Sequence, residues 1–156
     1  MHLSKAMSSA ALSLGLLSGL AIAAAPQATT APQTAPAPQA TPAHHRVLFA
    51  LTSPDEADWN LTMGNIGNLL KLLPDAEVEV VSYGPGIMMV AKPSAVEEAI
   101  HRLQGQHVKF VACQNAMRAR KLTVADLVDG VTPVPAGIVE VVTKQEEGWT
   151  YIKAGR

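Results

Sequence analysis

The sequence predicts an α/β fold: a three-layer α/β/α arrangement around a mainly parallel sheet of about five strands. Three observations lead there. Short apolar, β-branched runs recur along the chain, unbroken in the way of strands buried on both faces. Between them, apolar residues return at three- and four-residue steps, the spacing of a core-facing helix stripe. Capping residues, glycines and prolines mark most of the joins.

"RVLFALTS" (46–53) is the first such run. A helix start follows at once, with Ser53 as N-cap, Pro54 as first helical residue and Glu56 closing a capping box. Trp59, Met63, Ile66, Leu70 and Leu73 form its buried stripe, and Pro74 ends it. "EVEVVSY" (77–83) reads as the second strand and runs into the turn "GPG" (84–86). Ser94 and Glu97 cap a second helix, lined by Val96, Ala99, Ile100 and Leu103 and closed by Gly105. "HVKFVA" (107–112) is the third strand, and the helix after it opens at Cys113. Thr123 and Asp126 repeat the capping pattern for a short helix ending at Asp129-Gly130, before a fourth strand in "VTPVP" (131–135). "GIVEVVTKQEEG" (137–148) is β-branched enough for a strand. Ile138, Val141, Val142 and Gln145 keep helical spacing, however, and Gly148 sits where a C-cap would, so a helix is predicted there. "WTYIK" (149–153) is the final strand.

The first 43 residues stand apart from this pattern. Residues 1–25 pair a short basic start with an Ala- and Leu-rich run and an A-x-A cleavage pattern, the layout of a secretory signal peptide. Residues 26–43 contain only Ala, Pro, Gln and Thr, a composition that cannot bury enough apolar surface to order itself, and read as a disordered linker. One domain remains, 44–156, in a protein expected to be periplasmic or secreted, with no stable membrane span once the signal is removed. All 13 acidic residues lie in it with 11 of the 12 basic ones, so it has no basic face for nucleic acid. A single cysteine rules out disulfide stapling.

In open sheets of this class, ligands bind beyond the carboxyl ends of the strands. Those ends are Thr52-Ser53, Gly84-Pro85-Gly86, Cys113 and Pro135-Ala136-Gly137. Small turn-forming residues therefore gather at one edge, with the lone thiol among them. The amides and dipole at a helix start favour an anion such as a thiolate; an inert buried cysteine explains the same position equally well. The histidines lack the spacing of a metal site, and the glycines lack the Gly-Lys-Ser/Thr of a P-loop, so no cofactor is expected. Gly64 and Gly67, inside the first helix, suggest a close approach of its backbone, either within the molecule, to the sheet, or to a neighbouring subunit.

"WNLTMGNIGNLL", "VEVVSYGPGI", "FVACQNAM" and "LTVADLVDGVTPVPAGIVEVVTKQEEGWTYIK" occur in that order. With them, the segment from about Arg46 to Lys153 resembles the DsrE/DsrF-like (YchN-like) proteins of sulfur metabolism. The resemblance implies homo-oligomers, often trimers or hexamers. It also implies a cysteine that carries sulfur as a persulfide and passes it to a thiol acceptor, and Cys113 falls at the matching position. On that reading Gln114 and Asn115 steady the negative sulfur, while the Gly84–Gly86 and Ala136–Gly137 turns wall the pocket. Two other readings of the same residues stand beside it: a non-catalytic oligomeric module that binds a small anion, and a redox sensor that forms an intermolecular disulfide through Cys113.

Overall fold

In the computed structural model, which describes residues 44–156, the first apolar run forms β1 (Arg46–Leu51), an inner strand of a five-stranded sheet. The signal segment and linker expected over 1–43 lie outside the described residues. After β1 come α1 (Glu56–Leu72), β2 (Glu77–Ser82) and a 3₁₀ segment (Gly84–Val90). α2 (Glu97–Gln104), β3 (Lys109–Cys113) and α3 (Gln114–Arg120) follow, then a second 3₁₀ segment (Val124–Asp126). β4 (Thr132–Val134), α4 (Gly137–Glu146) and β5 (Thr150–Ala154) complete the chain. The strands lie in the order β4-β3-β2-β1-β5 and every neighbouring pair is parallel.

Alternation along each strand divides the core in two. Val47, Phe49, Leu51, Val78, Val80 and Phe110 face the layer built by α1, α2 and α3, where Trp59, Met63, Ile66, Leu70, Ile100, Leu103 and Met117 are buried. Leu48, Ala50, Val81 and Val111 face the other way, onto Val141 and Trp149. β1 is apolar without interruption because it is covered on both sides.

Three boundaries differ from the sequence expectation. Asp55, not Ser53, caps α1: its carboxylate accepts from the Ala57 amide at 2.8 Å, while the Ser53 hydroxyl donates to Asp58 at 2.5 Å. α2 starts at Glu97 rather than beside Ser94, whose hydroxyl donates to the Met89 carbonyl at 2.5 Å. The Thr123–Asp126 box forms as expected, with 2.7 Å contacts, but its helix stops at Asp126 instead of reaching Asp129.

Two packing expectations fail as well. Gly64 and Gly67 make no close approach, and a Cβ on either would meet nothing within 4 Å. On α4 only Val141 of the expected stripe is buried, whereas Ile138 and Val142 are exposed. The helix rests on the sheet along Gly137, Val141 and Lys144, a line one residue off the predicted one.

Where the backbone crosses closely is Gly86. A Cβ there would stand 2.6 Å from the Leu51 carbonyl oxygen, a fixed backbone atom at the end of β1. Gly86→Ala is expected to lower stability by about 1–3 kcal/mol, the usual cost of overpacking, as read by urea denaturation. An unchanged midpoint would show that the crossing has slack.

Candidate functional site

Parallel strands are joined by right-handed crossovers. The connections after β1, β2 and β3 step the same way across the sheet and deposit their helices on one face. The connection after β4 steps back past the whole sheet to β5 and puts α4 on the opposite face. At the carboxyl ends of β3 and β4 the chain therefore departs in opposite directions. Such a reversal leaves a crevice, the usual ligand position in open α/β sheets. Cys113 is the last residue of β3, and Val134 of β4 is its partner in the ladder.

The sequence-predicted residues converge on this point only in part. Gly137, the first residue of α4, lies directly against the cysteine: a Cβ built on it would be 3.1 Å from Cys113 Cβ and 2.6 Å from Tyr83 Cβ. Ala136, half-buried, is the N-cap of α4. Gln114 is half-buried beside Cys113, whereas Asn115 is exposed and its side-chain oxygen accepts from the Arg118 guanidinium. Gly84 is exposed, with φ of 53°, and opens the 3₁₀ segment. The Gly86 amide donates to the Tyr83 carbonyl at 3.1 Å, so it is not free to hold an anion.

Cys113 itself is covered rather than presented. It is 5% exposed and packs with Ala112, Ala116 and Met117. It is the N-cap of α3, as expected, but its side chain makes no capping hydrogen bond and the helix has seven residues. It is grouped with the core on the α1–α3 face, and from the α4 side Gly137 lies against its Cβ.

Two residues here were not singled out from the sequence. Tyr83, half-buried, carries the wall between Cys113 and α4; burial pushes its phenol above the ordinary value, and Tyr151 adds to the shift. Glu79 lies further down the same face of β2, 3% exposed, and its Oε1 has no hydrogen-bond partner. Burial pushes its carboxyl up to about 7 against the pull of Lys144. A cleft of about 580 Å³ opens beside it, lined in part by Glu79, His107, Lys109 and Thr132; Cys113 is not among its walls. Among the described residues no group of three or more His, Cys, Asp or Glu side chains is placed to hold a metal ion.

A parallel α/β/α sheet with one thiol at its connection reversal defines the class of protein. The sequence pattern of the DsrE/DsrF-like family matches residues 45–154, and the chain belongs to that family. It is similar to the solved protein of unknown function MTH1491 from Methanobacterium thermoautotrophicum. The two are 36% identical, with a TM-score of 0.68 over 70% of this chain and 98% of that one. BT1422 from Bacteroides thetaiotaomicron, also of unknown function, is 14% identical with a TM-score of 0.61 over 74% and 99%. The ychN protein of E. coli is 13% identical with a TM-score of 0.57 over 71% and 98%; these last two likenesses concern the fold. No curated protein matches the chain significantly.

The contact at Gly137 has a measurable consequence. Gly137→Ala is expected to push the first turn of α4 off Cys113, lowering stability by about 1–3 kcal/mol and raising the thiol's alkylation rate. A destabilised variant whose thiol reacts no faster would show that α4 is not the cover.

Proposed function

We propose that this protein is an exported sulfur carrier that holds sulfane sulfur on Cys113 as a persulfide and hands it to a thiol acceptor. Membership of the DsrE/DsrF-like family points to a role related to sulfur metabolism. The observation that supports the finer reading is the position of the chain's one thiol at the carboxyl end of β3, where the connections after β3 and β4 part. The Cys113 thiolate attacks the sulfane sulfur of a persulfide donor, R–S–SH. The donor's S–S bond breaks, its electron pair leaves with R–S⁻, which takes a proton from water, and Cys113–S–SH forms. An acceptor thiolate then attacks the outer sulfur and returns Cys113 to the thiolate, with no net oxidation in the cycle. Gln114 and Asn115 stand at the mouth, and Gly137 and Tyr83 form the wall that must shift for a donor to enter. Residues 1–25 direct export and 26–43 tether the domain. A covered thiol suits an oxidising compartment, where an exposed one is overoxidised or captured.

The same burial favours the rival reading, an oligomeric module with an inert cysteine. Polysulfide treatment followed by mass spectrometry separates them. The carrier gains about 32 Da, one sulfur, removed by a thiol acceptor and absent in Cys113→Ser. Wild-type protein that gains no sulfur ends the carrier reading.

The protein works as a homo-oligomer, a trimer or hexamer. Among the described residues α4 is the single helix on its face, and Ile138, Val139 and Val142 on it are 56%, 59% and 49% exposed. A parallel sheet needs cover on both faces, and a second copy supplies it. Ile138→Glu combined with Val142→Glu is expected to bring the mass in sedimentation down to a single chain. Assembly that survives both changes would place the contact elsewhere.

A further inference from the structure

β4 is too short to cover the strand beside it. It begins at Thr132, opposite Val111, so Lys109 and Phe110 at the start of β3 have no ladder partner on that side. The cleft of about 580 Å³ lies at this gap, and its walls include Glu79, Gln104, His107, Lys109, Gly130 and Thr132. A cavity of that size is in the range that holds a small organic molecule.

Partners in a parallel ladder share a face. Glu79 is paired with Lys109 and Val111 with Thr132, and all four turn to the side that carries α4. Glu79 is the one acid among the walls, and it is 3% exposed. Its Oε2 lies 3.7 Å from Lys144 Nζ, while no donor among the described residues reaches its Oε1. Native proteins leave few buried polar atoms unpartnered, and a bound ligand is one reason for such an atom to persist.

The charges nearby do not supply the partner. Lys144 also lies 3.8 Å from Glu140 and 3.7 Å from Glu147, so one ammonium faces three carboxylates. Lys109 lies 3.3 Å from Glu77, which His44 approaches at 3.9 Å. Arg46 on β1 donates to the Glu147 carbonyl and sits over the Trp149 ring. Two lysines thus serve four carboxylates, and positive charge is what this side of the sheet lacks. His107, exposed beside Glu79, contributes charge only when protonated.

A cation that brings its own N–H donors meets both needs. A divalent metal ion fits poorly, because among the described residues no three His, Cys, Asp or Glu side chains are placed to hold one. An organic ammonium or guanidinium needs only a carboxylate and a neutral acceptor, and the Thr132 hydroxyl shares the face of Glu79. Val111 and the methylenes of Lys109 offer apolar surface to a short alkyl stem. We propose that this cleft binds a small organic cation, an alkylamine or alkylguanidine, whose N–H groups donate to Glu79 and whose stem lies along β3. Cys113 is not among the walls, so the site stands whether or not the thiol carries sulfur.

Without a ligand Glu79 titrates at about 7, because burial outweighs the pull of Lys144. A bound cation favours the ionised form, so binding strengthens as pH rises through about 7. An alkylamine keeps its own charge throughout that range.

Titration of the full chain with n-butylammonium chloride, read by the amide NMR shifts of Lys109, Phe110, Val111 and Thr132, tests this. Saturable shifts with a Kd of about 1–10 mM are expected at about pH 8, and n-butanol or sodium chloride should give none. Affinity is expected to fall by about tenfold or more on going to about pH 5. His107→Asn, a residue that tolerates the φ of 65° at that position, should leave the fall in place. Glu79→Gln should bind about tenfold more weakly at the alkaline end and lose the pH dependence. If that variant folds poorly, the wild-type and His107→Asn profiles decide by themselves. An equal response to butanol, an affinity indifferent to pH, or a fall that vanishes in His107→Asn overturns the proposal. So does the absence of saturable shifts with both n-butylammonium and n-butylguanidinium.

Discussion

The handedness of the crossover is the constraint on which the other features of this molecule depend. Three right-handed connections in one direction build a closed layer of helices, and a fourth in reverse sends a single helix across the opposite face. The reversal places Cys113 where the two connections part. It also gives α4 two jobs that a more crowded layer would divide: to lie against Cys113 at one end and to cover a buried acid at the other. The exposed apolar residues of α4 follow from the same cause, because among the described residues this helix has no helical neighbour on its face.

Close approach is the second physical theme, and it separates glycines that matter from those that do not. Gly86 lets the 3₁₀ segment cross the end of β1, and Gly137 lets α4 begin against Tyr83 and Cys113. Gly64 and Gly67 look more suggestive in the sequence because they interrupt a helix, yet space is open around both. They lie along a groove between α1 and α2 with Lys71 and Arg102, where a missing side chain costs helix propensity and gains no contact.

The strands were legible because burial on both faces leaves an unbroken apolar run, and the helix types followed from spacing. Cap positions were less so. Ser53 and Asp55 both satisfy the rule for an N-cap, and the choice was made by Asp58, which engages the Ser53 hydroxyl from a turn further on. The stripe on α4 was misread by one residue because its inner line includes Lys144, a charged residue that periodicity assigns to solvent. Cys113 was found at the right edge of the sheet, but its cover was not, since Tyr83 reaches it from a different strand. Glu79 did leave a trace: in "EVEVVSY" the alternation that buries Val81 and places Tyr83 also turns Glu79 inward. A carboxylate on the inner face of a doubly covered strand is a conflict between pattern and chemistry, and such conflicts tend to mark function.

For the proposed carrier, covering the thiol and keeping it usable are opposed requirements. A permanently exposed sulfur in an oxidising compartment meets oxidants and stray thiols as readily as its proper donor, while a permanently buried one meets nothing. Reconciling the two calls for a cover whose hold is weak and can be set by conditions. A helix with apolar residues on its outer side and a strained set of charges beneath it has those properties. Its inward hydrophobic contact is the narrow line through Val141, so the balance at Lys144 weighs heavily in whether it stays down. An apolar residue at position 79 would pack better and remove the conflict. With the acid there instead, a carboxyl sits buried beside Lys144 of α4.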